Sequence, residues 1–180
     1  MSLLLIILPL VVGNTWHAIM LWMSSRRGMF ANSISENALI SKPVLEVHRA
    51  MHIILAVCFT VYSYGLWERG YPSLAVLLTS AVVLDVTQVL TLSKHTKHTP
   101  FYFRDRHQLA AWLMAVLYLL YTIAAAITAH VGAVWIVIYL GYILLMQVGS
   151  SLTEHRYFWL AQMVFFVSVS AAIIGFTALV

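Results

Sequence analysis

The sequence is short of charge and short of cysteine, and each shortage excludes something. Only 9% of its 180 residues are Asp, Glu, Lys or Arg, while 62% are hydrophobic. A soluble domain uses roughly a quarter of its residues as charges to cover its surface. This chain has too few, so its expected solvent is lipid. The single cysteine, Cys58, rules out a disulfide scaffold, a Cys-pair redox centre and a thiolate zinc site. Motifs for nucleophilic and nucleotide chemistry are missing too: there is no G-x-S-x-G, no phosphate loop and no H-E-x-x-H. No fixed-period repeat and no low-complexity tract divides the chain, so one domain over residues 1–180 is the simplest reading.

What is present is apolar length. Six stretches reach the roughly 20 residues a bilayer requires: Leu3–Met23, Val47–Trp67, Ser73–Leu92, Gln108–Ala129, Val131–Gly149 and Tyr157–Leu179. The expected fold class is therefore all-α, a polytopic integral membrane protein built as a six-transmembrane-helix bundle. The first stretch lacks a basic leader and a small-residue cleavage site, so it reads as a span and not as a signal peptide. Met29, Phe30, Ile34, Leu39 and Ile40 in the long first connection suggest a short interfacial helix before Pro43.

The formal net charge is +4. Its basic residues sit in connections and do not interleave with aromatics, so nucleic acid is not an expected partner. Arg26, Arg27, Lys42, Lys94, Lys97, Arg104, Arg106 and Arg156 fall in the first, third and fifth connections, and only Arg69 falls on the other side. The positive-inside rule then puts those connections in the cytoplasm and both termini on the non-cytoplasmic side.

With that topology the polar residues gather at one depth. His48 and His52 stand four apart in "EVHRAMH", on one helix face at the start of the second span. Asn14 and His17 lie in the inner half of the first span, and Asp85, Thr87 and Gln88 in the inner half of the third. His95, His98, Asp105, His107, Glu154 and His155 lie at cytoplasmic helix ends, and only His130 of the eight histidines lies outside. Asp85 has no charged neighbour in sequence. An ionisable group inside a membrane faces the bundle interior or a wet cavity, so its partner must come from another helix. His17 and His52 are at the right depth. The expected pocket is His17, His48, His52, Asp85 and His107, with His52 pointing in and His48 at the cytoplasmic rim.

Several chemistries fit these residue types. His48, His52, His95, His98, His107 and His155 are candidate ligands for an iron, zinc or copper ion. Histidines gathered at cytoplasmic helix ends resemble those of membrane fatty-acid hydroxylases and desaturases, but the adjacent His–His pairs of those enzymes are missing here. His17 or His52 with His107 would be the axial pair of a haem b. In either case Asp85 orients a ligand or shuttles protons. The leading expectation is a metal- or haem-dependent membrane redox enzyme acting on a lipid-like or quinone-like substrate. A small proton-coupled transporter or channel, taking a hydrophobic small molecule or an ion, uses Asp85 and His52 differently, exchanging a proton between them. Gly13, next to Asn14, is the only candidate break in a helix near that site. A structural subunit of a membrane complex needs the same groups only as interhelical hydrogen bonds. Ser168, Ala172 and Gly175 permit close helix approach, which leaves a homo-oligomer open. Solvated loop histidines are the plain alternative for His95, His98 and His155.

Overall fold

The structure, a computed structural model, describes residues 4–28, 31, 33–93, 105–152 and 158–179. Its elements are α1 (Leu4–Arg26), α2 (Ile34–Ala38), α3 (Lys42–Glu68), α4 (Pro72–Thr91), α5 (Arg106–Thr128), α6 (Ala133–Leu152) and α7 (Phe158–Leu179). Every described element is helical. Five of them, α1, α3, α4, α5 and α7, are long and apolar enough to cross a membrane, which fits a multi-pass integral membrane protein. Six spans are expected from sequence and five are shown. α6 has 20 residues, but its described apolar stretch, Ile136–Leu145, is shorter than a span.

Local chemistry sets the helix ends. Pro43 and Pro72 occupy the first turns of α3 and α4, where no backbone N–H is needed. Asp105 caps α5, its side chain accepting from the amides of His107 and Gln108. At the end of α3, Tyr71 N–H donates to Leu66 O at 2.9 Å and Gly70 N–H to Trp67 O at 3.0 Å, with Gly70 at φ 85. That is a Schellman closure with glycine at its left-handed position. The end of α5 repeats it with a histidine there: Val131 N–H reaches Ala126 O, His130 N–H reaches Ile127 O, and His130 has φ 56.

The described part of the first connection packs against the bundle; Met29 and Phe30 lie outside the described residues. Ser33 and Glu36 form a reciprocal capping box, and α2 buries Ile34, Asn37 and Ala38. The Asn37 amide donates to Ala31 O and Ser33 O, at 2.9 and 2.6 Å. Ile34 N–H donates to Gln162 Oε1 of α7 at 2.8 Å, which pins the segment to the bundle.

Two apolar clusters occupy the interior. The larger includes Ile6, Leu10, Phe59, Tyr62, Leu78, Tyr121 and Ile173. The smaller, at the α2 end, is Met20, Ile34, Ala38, Val44 and Leu92. Large apolar side chains such as Leu8, Val57, Val61 and Val83 point outward, as they do where lipid is the solvent.

Candidate metal centre

Between the two clusters, three helices bring buried polar side chains together. α1 contributes His17, α3 contributes His48 and His52, and α4 contributes Asp85 and Gln88; all five are no more than 6% exposed. The α3 spacing of four residues stacks His48 and His52 on one face, with ring centroids 4.5 Å apart. His17 faces both from α1, at 5.6 Å from each ring. One ring nitrogen from each histidine lies within 4.8 Å of those of the other two.

Gly13, one turn before His17, faces Leu55 of α3. A Cβ there would stand 2.8 Å from Leu55 Cδ1. Gly13 therefore acts as a packing point, and α1 runs through it without a break. Asn14 adds a tie to α7, its Nδ2 donating to Ser170 Oγ at 3.0 Å.

His52 and Asp85 set the chemistry. His52 Nδ1–H donates to the Asp85 carboxylate, 2.9 Å from each oxygen. Gln88 Nε2 also donates to Asp85 Oδ1, at 3.2 Å. With the carboxylate as acceptor, a neutral His52 ring carries its lone pair on Nε2. Three buried ring nitrogens have no hydrogen-bond partner among the described residues: His17 Nδ1, His48 Nδ1 and His52 Nε2. Buried polar atoms are almost always paired, so three orphans on one cluster need an explanation.

Sequence reasoning puts His48 at the rim of the pocket, and the structure buries it at 2% exposure. The reason is the helix start. α3 begins at Lys42, five residues before the apolar run opens at Val47, so His48 lies in its second turn. The cluster around Met20, Ile34, Val44 and Leu92 closes that end. The site is thus enclosed by apolar side chains on both sides.

His107 stands one step away. Its Nδ1–H donates to the backbone O of Gln88 at 2.6 Å, which links α5 to the Asp85 network without joining the close triad. His95, His98 and His155 lie outside the described residues. Arg49 Nη1 pairs with Glu46 Oε1 one turn back, at 3.2 Å. Its Nε and Nη2 also donate to Val89 O and Leu92 O, capping the end of α4 that carries Asp85.

A cavity of about 40 Å³ adjoins His17, His52 and Asp85, with Asn14, Tyr118, Phe166 and Ser170 also in its wall. One water needs roughly 10–15 Å³ by this measure, so there is room for a small ligand group. Tyr118 follows His107 by 11 residues, three turns along the same face of α5, which is the one signal in sequence for it. Ser170 and Phe166 carry no such signal within the apolar run of α7.

No family model matches the chain, and neither does any curated protein or solved structure.

Proposed function

We propose that this chain is a metal-dependent membrane redox enzyme acting on a lipid-like or quinone-like substrate, with His17, His48 and His52 as the ligands of its metal ion. One observation carries the reading: one ring nitrogen from each of three buried histidines, on two helices, lies within 4.8 Å of those of the other two. A water can satisfy one such nitrogen, whereas three converging ones make a donor set. Metal–imidazole bonds near 2.0–2.1 Å would put the nitrogens roughly 3.4 Å apart around a tetrahedral ion. The present spacing of up to 4.8 Å closes to that by small ring movements.

The surrounding residues support the same reading. Asp85 accepts from His52 as an outer-shell carboxylate, fixing the ring and raising its basicity as a ligand. The small cavity offers the open fourth position that separates a reactive site from a structural one. The metal, when bound, supplies Lewis-acid or electron-transfer chemistry. The apolar clusters on either side exclude bulk water from it. Three nitrogen ligands suit iron, copper or zinc, and a redox role favours the first two. Haem b has less support, because the cavity beside His17 and His52 is far smaller than a porphyrin.

The runner-up is a proton-coupled carrier or channel, and one observation favours it: His52 and Asp85 form a buried histidine–carboxylate contact, the kind of pair such a carrier uses to pass a proton. Metal analysis separates the two readings. Bound iron or copper that disappears in His48→Ala supports the enzyme. A metal-free protein whose proteoliposome flux disappears in Asp85→Asn supports the carrier. In both readings α6 is a sixth span, and the basic connections lie in the cytoplasm with both termini opposite. Labelling of cysteines introduced at each terminus by an impermeant reagent from outside tests that orientation.

A further inference from the structure

A second and larger cavity lies beyond Phe166. It holds about 400 Å³, within the range of small-molecule sites, and α5, α6 and α7 form its walls. Its two ends differ. Ser33 and Ser35 of the α2 segment, His107 and Gln108 of α5, and Gln162 of α7 surround one end. Away from it the wall is apolar, with Leu119 and Leu140 furthest along their helices from those polar residues. From His107 to Leu119 the α5 wall is 12 residues long, about 18 Å of helix.

No Lys, Arg, Asp or Glu is among the described residues that line the polar end. Among those described residues a charged head would find no counter-ion, which inside a membrane is costly. Gln162 is held as a donor: its Oε1 accepts from Ile34 N–H, and its Nε2 has no hydrogen-bond partner among the described residues. Phe166 lines both cavities, and its ring centroid stands 5.3 Å from that of His17. Phe166 is therefore common to the walls of both cavities and stands against the histidine cluster.

We propose that the chamber binds a neutral single-chain lipid, with one long hydrocarbon tail and a carbonyl or hydroxyl head, and that Phe166 is the partition through which the head reaches the metal site. Calling that lipid the substrate rests on the metal-site reading; its binding does not. The tail lies along Trp112, Leu119 and Phe165, and Gln162 Nε2 donates to the head. Rotation of Phe166 about χ1 joins the two cavities without moving a helix.

Photolabelling tests this on the whole protein in phosphatidylcholine nanodiscs. The probe is a diazirine-bearing hexadecanol, with labelled residues read by peptide mass spectrometry. The expected result is saturable labelling of Trp112, Met114 and Phe165, suppressed by unlabelled hexadecanol. Ala161→Trp fills the chamber and abolishes that labelling, and the milder Ala115→Leu reduces it. The matching diazirine hexadecanoic acid labels these positions weakly. In Phe166→Ala the label spreads to Leu55 and Phe59. Metal-stripped protein labels the chamber as the loaded protein does, so failure of the metal reading leaves this result intact. Labelling as strong at outward-facing Val57 and Val61 as in the chamber, and indifferent to competitor and to both filling variants, overturns the chamber. Equal labelling by the acid overturns the neutral head, and an unchanged pattern in Phe166→Ala overturns the partition.

Discussion

His52 donates one Nδ1 proton between the two carboxylate oxygens of Asp85, 2.9 Å from each. The bond crosses from α3 to α4 in the apolar interior of the bundle. In a neutral ring it leaves the lone pair of His52 on Nε2, and so sets which way the ring can bind. Gln88, held on the same helix, keeps the carboxylate in place.

Asp85→Asn tests that role. The amide is nearly isosteric, so the helices stay packed, but the carboxylate that accepts from His52 Nδ1–H is gone. The expected loss in metal affinity is about 10- to 100-fold, the usual cost of removing an outer-shell partner. Competition titration against a chromophoric chelator reads it, with circular dichroism as the fold control.

Gly13→Val should weaken the same site from a distance. Its side chain meets Leu55 and pushes α1 away from α3, moving His17 off His48 and His52. Metal affinity falls while the helix content stays. Gly13→Ala is milder, because the nearest atom is the terminal methyl of a flexible leucine. Equal affinity in Gly13→Val and the parent would show that the helix spacing does not set the site.

Much of this arrangement was legible in the residues. Asp85, alone in an apolar run, required a partner on another helix, and the four-residue spacing of His48 and His52 required a shared face. The start of α3 was not legible, because hydropathy marks where apolar residues begin and not where hydrogen bonding begins. Lys42 and Glu46 belong to the helix although they are polar, and that places His48 inside. The packing of α2 against the bundle was hidden for a similar reason. Its anchor is a contact between Ile34 and Gln162, 128 residues apart, with no local signature. Phe166 and Ser170 look like any other residues of an apolar span until the neighbouring helices are in place.

Arg49→Met removes the cap on α4. Arg49 donates to Val89 O and Leu92 O, and hydrogen bonds from charged groups contribute about 1.5–3 kcal/mol where they are shielded. Arg49 is partly exposed, so about 1 kcal/mol is expected. Thermal unfolding in detergent reads the loss, and hydrogen exchange should locate it at the end of α4. Glu46→Gln, which removes only the exposed partner, should change little.

His130→Gly should stabilise the chain. His130 holds the left-handed position that closes α5, with φ 56, and a side chain there costs roughly 1–2 kcal/mol in backbone strain. Relief by glycine is partly offset by its greater freedom in the unfolded chain, leaving a gain of about 0.5–1 kcal/mol. Thermal unfolding measures it, and metal content should not change, because His130 is remote from the triad.

The most direct measurement is elemental analysis of protein purified from medium supplied with iron, copper and zinc, beside His17→Ala, His48→Ala and His52→Ala. The expected result is about one equivalent of one transition metal per chain in the parent, as for a mononuclear site. Each variant should lose it while remaining helical and monodisperse. A parent protein that carries no more metal than the three variants, and takes none up on titration, would contradict a metal centre at these histidines.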